Sequence, residues 1–198
     1  MKRMVLILII AVLVVGGAFA QMSAGVGLKG SFITTKSEVG SLSGESKANG
    51  IGANVFFDVK FAEINIDYLV ASDSDDAKSQ TSFLGLGVVG KYPIALGDKF
   101  EIFPFAGIEY LMLLGASYDG EDKTPDDKGD FSRVSILLGV GFDFGFTDSI
   151  FLRAEVGYGI GLNTKAEQDM IDLASKAKVD AKYTTGQVPW KIAVGFKF

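Results

Sequence analysis

The chain has 198 residues with 48% hydrophobic content, 25 glycines, no cysteine and no histidine, and 19 basic residues stand against 24 acidic ones. The acidic balance argues against a nucleic-acid partner, whose footprint is a basic patch, and without cysteine there is no disulfide framework. Without histidine the usual general base and metal ligand is missing, so no catalytic residue, cofactor or metal site is expected.

Residues 1–20 have the layout of a secretory signal peptide. Lys2 and Arg3 form a basic start, Val5 to Val15 is an unbroken apolar run, and Ala18-Phe19-Ala20 supplies a small-x-small cleavage pattern before Gln21. Cleavage there leaves residues 21–198 as one exported domain and, by removing two basic residues, deepens its acidity. Beyond residue 20 no run approaches the length of a helical span, so a membrane could be crossed only by a closed ring of strands.

Eight segments then alternate apolar with polar or small residues, at 24–34, 51–59, 62–71, 81–93, 100–117, 132–145, 150–163 and 187–198. Period 2 is the signature of a strand with two unlike faces. The connections after the first, third, fifth and seventh segments read as long and polar (35–49, 72–80, 118–131 and 164–186). Those after the second, fourth and sixth are short: Lys60-Phe61, Ile94 to Lys99, and Phe146 to Ser149. Long outer loops alternating with tight periplasmic turns predict an all-β fold, an eight-stranded antiparallel up-and-down transmembrane β-barrel with both termini on the periplasmic side. A soluble lipocalin-like carrier shares the strand count, but its apolar face would have to line a ligand cavity.

The facing pattern favours the membrane. In 150–163, Leu152, Ala154, Val156, Tyr158, Ile160 and Leu162 share one face, opposite Arg153, Glu155, Gly157, Gly159 and Gly161. In 132–145, Val134, Ile136, Leu138, Val140, Phe142 and Phe144 oppose Arg133, Ser135, Gly139, Gly141 and Asp143, with Leu137 the exception. An oil-filled core does not accept that charged face, whereas a narrow barrel lumen takes small residues and paired charges. Alternation sends Lys29, Lys91, Arg133, Arg153 and Lys191 inward with Asp58, Asp67, Glu101, Glu109, Asp143 and Glu155, a nearly balanced set expected to form an ionic network that fills the lumen. Glu155, Lys191 and Lys29 are expected to meet near mid-barrel. The aromatic residues Phe32, Phe57, Tyr92, Phe100, Phe144 and Trp190 are placed in two interfacial girdles.

Two loops have character of their own. Residues 119–130, DGEDKTPDDKGD, are dense in carboxylates but lack EF-hand spacing, and read as a solvated loop. In 164–186, Met170, Leu173, Ala174 and Ala177 keep helical spacing and predict a short helix on the barrel rim.

The chain closes on Val188-Pro-Trp-Lys-Ile-Ala-Val-Gly-Phe-Lys-Phe198, with Val188, Trp190, Ile192, Val194, Phe196 and Phe198 on one face. Strand eight must pair with strand one to remove both sheet edges. With the Ala18-Phe19-Ala20 site and the eight segments, this tail resembles the small eight-stranded outer-membrane proteins, the group that includes OmpX and the membrane domain of OmpA. The resemblance implies an outer-membrane location, contact with lipid and lipopolysaccharide, and a monomer. It also implies that Trp190, Phe196 and Phe198 carry the signal read by the outer-membrane assembly machinery. No periplasmic peptidoglycan-binding domain follows Phe198, so a tethering role is not expected. The expected function is structural or interactive, namely envelope integrity, adhesion or recognition of a surface partner through the outer loops. The alternative is a narrow channel for small or hydrophobic solutes, as OmpW-type barrels suggest. Enzymatic barrels of this kind rely on histidine, so enzyme activity is not expected.

Overall fold

The computed structural model describes residues 22–74 and 78–198, so the signal-peptide segment lies outside the described residues. Eight long strands follow in chain order: β1 (Met22–Val39), β2 (Leu42–Val59), β3 (Ala62–Asp73), β4 (Ser79–Lys91), β5 (Phe100–Tyr118), β6 (Arg133–Gly145), β7 (Ile150–Gly161) and β8 (Ala181–Lys197). Each pairs antiparallel with its neighbour in sequence, and β8 returns to β1 in a register running from Ser23↔Lys197 to Val39↔Ala181. The ring is therefore closed. Phe198 completes it by donating its backbone N–H to the Met22 carbonyl at 3.0 Å.

Large apolar residues occupy the outward positions with much of their surface bare, among them Leu28 (58% exposed), Leu138 (61%) and Ile192 (52%). An apolar belt of that extent belongs against hydrocarbon rather than water. At the end of the barrel that holds Met22 and Phe198 the belt closes in aromatic contacts. Phe100 and Phe144 lie 4.8 Å apart, Phe144 meets Phe146 edge-on at 5.2 Å, and Phe57 lies 6.4 Å from Phe198. Trp190 departs from the girdle expectation. It pairs with Gly30 and Val156 well inside the belt, and its indole lies flat over Gly30, where any side chain would collide with it.

The first outer connection also differs from the sequence reading. Residues 35–49 are strand almost throughout, and the loop shrinks to the two-residue turn Gly40-Ser41, with Gly40 at φ +59. Glycine at the first turn position suits such a hairpin. The hydrophobic alternation stops at Phe32 and Ile51 because beyond them both faces leave the apolar belt, and periodicity then says nothing about backbone. Cross-strand pairing continues, with Lys36 opposite Glu45 and their charged atoms 3.6 Å apart. For the same reason β8 begins at Ala181, six residues before its apolar pattern. The 92–99 connection, which contains a two-residue bridge at 94–95, is longer than the turn at 40–41, so loop length alone does not identify the outer end.

In the fourth outer connection α1 (Lys165–Lys176) has a full capping box. Thr164 Oγ1 accepts from the Glu167 backbone, and the Glu167 carboxylate accepts from the Thr164 N–H. The acidic third loop is ordered as a two-residue ladder, Glu121–Asp122 against Ser117 and Tyr118, turned by Asp119-Gly120, and a single 3-10 turn, Lys128–Phe131.

If the belt faces hydrocarbon, Leu28→Arg at its middle costs about 2–4 kcal/mol of folding stability in lipid bilayers. Urea titration in vesicles checks this. A loss below about 0.5 kcal/mol, normal for a solvent-facing position, contradicts the membrane orientation.

Candidate functional site: the barrel interior

Inward positions are set by strand parity, and the charged ones meet in two layers. The lower layer is organised by Arg153 on β7, which is 1% exposed. Its Nε and Nη2 donate to the two oxygens of Asp143 at 2.7 and 2.6 Å, Nη2 also donates to Asp58 at 2.8 Å, and Nη1 pairs with Glu63. Asp143 is its direct cross-strand partner, and a bidentate guanidinium fork suits such a carboxylate. Asp58 and Glu63 lie directly opposite each other on β2 and β3, a like-charge pair that destabilises a sheet unless cations bridge it. Arg153 does so, assisted by Lys91 on Asp58 and Lys191 on Glu63, the latter at 2.5 Å. Lys191 also reaches Glu155, its register partner, at 3.0 Å.

The second layer centres on Lys29 of β1, which donates to Asp67 at 2.6 Å and to Glu109. Gln187 donates to the far oxygen of Glu109 at 3.1 Å, and Asn54 donates to Asp67 at 2.6 Å. Lys29 and Lys191 are register partners and would repel each other, but one pairs into each layer. Asn65 joins the layers, accepting from Asn54 at 3.0 Å and from Lys191 at 3.1 Å. The gap between them, lined by Asp67, Glu109, Glu155 and both lysines, is about 40 Å³, space for little more than water.

Aromatic rings insulate the lower layer. The Arg153 guanidinium carbon lies 4.6, 5.0 and 5.1 Å from the ring centres of Phe56, Phe103 and Phe151, each of them almost fully buried. Cation–π attraction of this kind strengthens when water is excluded. Each of these phenylalanines faces a glycine across the ladder: Gly25 opposite Phe56, Gly141 opposite Phe103, and Gly195 opposite Phe151. A Cβ at Gly195 would collide with the Phe151 ring, so glycine is the space the ring occupies.

Of the residues expected inside, Lys29, Asp58, Asp67, Lys91, Glu109, Asp143, Arg153, Glu155 and Lys191 join this network. Arg133 and Glu101 point inward but lie at opposite mouths. Arg133 pairs with Glu167 of α1 at 2.7 Å at the end opposite the termini, and Glu101 lines the mouth at the terminal end with Asp143 and Lys197. Lys29 bonds Asp67 and Glu109 rather than Glu155. Glu63, Asn54, Asn65 and Gln187 complete the network without being among the residues expected from the charge pattern. Glu63 had a readable signal, since it shares the parity of Asp67; the amides and the inward phenylalanines carry no charge that would single them out.

A closed antiparallel ring with its apolar side chains outward and its charges inward is a transmembrane β-barrel. The sequence matches the model of the outer membrane protein beta-barrel domain over residues 5–198, and the chain belongs to that family and to the outer membrane. Among solved structures it is similar to Neisserial surface protein A, at 14% identity and a TM-score of 0.49, covering 89% of this chain and 99% of that one. Ail, the attachment invasion locus protein of Yersinia pestis, matches at 9% identity and 0.40, covering 91% and 100%. OprG from Pseudomonas aeruginosa matches at 11% and 0.42, covering 90% and 96%. No curated protein matches the sequence.

Removing Arg153 takes from Asp143 its bidentate partner in the protein interior and leaves the facing Asp58 and Glu63 with one lysine each and no shared cation between them. Arg153→Met is expected to destabilise the barrel by about 3–5 kcal/mol, the range for breaking a buried ion pair from one side. Glu101→Gln at the mouth should stay within about 0.5 kcal/mol. Denaturant midpoints of the two variants at constant slope test the difference.

Proposed function

We propose that this protein is a monomeric outer-membrane barrel whose lumen is held shut by its ionic layers and whose working surface is the outer end, in a structural or surface-recognition role. The observation that carries this reading is the two-layer network itself. It runs without a break from Lys91 to Gln187, and the cavities above and below it, about 320 and 590 Å³, are separated by a gap of about 40 Å³. A solute passing through would have to part at least one buried pair and leave charges unpaired, at a cost of several kcal/mol.

The same reading takes residues 1–20 as a cleaved signal peptide and 21–198 as the mature barrel. It gives Trp190, Phe196 and Phe198 to recognition by the outer-membrane assembly machinery, and it assigns no enzyme activity. Lipopolysaccharide is the neighbouring lipid of the outer leaflet. The ordered outer elements support a surface role, since function on a rigid scaffold concentrates in its loops. The β1–β2 hairpin projects beyond the apolar belt, and α1 is fixed by the Arg133–Glu167 and Lys165–Asp130 pairs, the latter at 2.9 Å.

Refolded mature protein, with folding confirmed by heat-modifiable gel migration, is expected to give no discrete steps in a planar bilayer. Stable steps that change with Glu155→Gln would replace this reading with a conduit gated by the interior pairs.

A further inference from the structure

The outer mouth of the barrel is a cup of about 320 Å³, at the small end of the range for ligand sites, and its floor is the upper ionic layer. Phe83, Leu111 and Gln187 form the base, and Gln187 is held from below by Glu109. Hydroxyls line the wall, including Thr81 and the pair Thr35 and Thr185, whose oxygens are 3.0 Å apart. Phe131 stands at the lip with 45% of its surface exposed. Its 3-10 turn is anchored by Lys128 on the Leu114 carbonyl at 2.6 Å and by Lys165 of α1 on Asp130. The two charged residues in the lining are already engaged: Arg133 with Glu167, and Asp73 in an interaction of its own.

We propose that this cup binds a single neutral pyranose residue, as a free sugar or as the end of a glycan. The inference rests on the closed-lumen reading, which supplies the floor. A pyranose offers a face of C–H bonds, which packs on aromatic and aliphatic surface such as Phe131, Phe83 and Leu111. Its edge of hydroxyls both donates and accepts, which suits the threonine hydroxyls and the Gln187 amide. An anionic ligand gains little here, because it would have to compete with the carboxylate already on Arg133, and a cationic one would have to compete for Asp73, which is engaged as well. A purely apolar ligand would strip water from the hydroxyl wall and leave the remaining hydrogen-bonding capacity of its threonines unused. The volume admits one ring rather than a chain, so a longer glycan would enter by its terminal residue.

Saturation-transfer difference NMR on the refolded protein in a sugar-free detergent tests the proposal, using D-glucose, D-galactose, N-acetyl-D-glucosamine and their methyl glycosides. At least one is expected to receive transfer that weakens fivefold or more in both Phe131→Ala and Thr185→Val, and is unchanged in Phe146→Ala at the opposite end. Phe131 is exposed and its truncation leaves the barrel core intact, so loss in that variant is not a folding effect. Transfer to a methyl glycoside marks a glycan end as the ligand, and transfer to free sugars alone marks a solute. No transfer to any of the six, or transfer indifferent to both cup variants, overturns the cup while leaving the closed lumen standing. Conductance steps from the same preparation remove the floor and overturn both.

Discussion

Backbone amides inside a hydrocarbon layer have no water to bond, so a sheet that crosses the layer can have no free edge. Closure of β8 onto β1 satisfies that constraint, and the remaining structure depends on it. Once the ring is closed, strand parity alone decides what meets lipid and what is enclosed. The Phe198 N–H on the Met22 carbonyl extends the seam to the last residue. Pro189, which has no N–H to give, sits in this seam strand where the ladder to β7 is interrupted between Gln187 and Trp190, yet the register is kept on both sides.

Closing eight strands also fixes how much room is left inside, and the interior is too narrow to hold bulk water and too wide to be filled by backbone. Glycine and phenylalanine settle the volume by alternating across the ladder, the ring of one strand lying over the bare backbone of the next. Charges fill what remains. Their arrangement follows from the repulsions that the register creates: Asp58 against Glu63 and Lys29 against Lys191 are each resolved by partners from distant strands. Arg153 therefore ties β7 to its neighbour β6 and, across the lumen, to the adjacent pair β2 and β3. The network crosses the lumen because Asp58, Glu63, Lys29 and Lys191 each face a like charge in the register and reach past it for an opposite one, while Arg153–Asp143 and Lys191–Glu155 pair directly across the ladder.

The outer end is built differently. There the apolar belt has ended, both strand faces are polar, and order comes from capping and surface ion pairs. The Thr164 capping box and the Arg133–Glu167 pair position α1, which in turn holds the turn that carries Phe131. A mouth with a floor, a hydroxyl wall and an aromatic lip results, at the end of the barrel opposite both termini.

The sequence by itself determined the class of fold, the eight strands, the face each side chain takes, and most of the charged residues that lie inside. These are consequences of period-2 alternation, which is local and survives in the chain as written. Tertiary structure alone decided who pairs with whom. Strand stagger sets the height of each residue in the ring, so it put Arg133 against Glu167 at one mouth, Glu101 beside Asp143 and Lys197 at the other, and sent Lys29 to Asp67 and Glu109. The length of β1 and β2 above the belt was equally hidden, because polar residues on both faces leave no periodicity to read. Phe56, Phe103 and Phe151 follow the inward parity, but only the register shows the glycine opposite each. Parity is written in neighbouring residues, whereas register and height are properties of the closed ring.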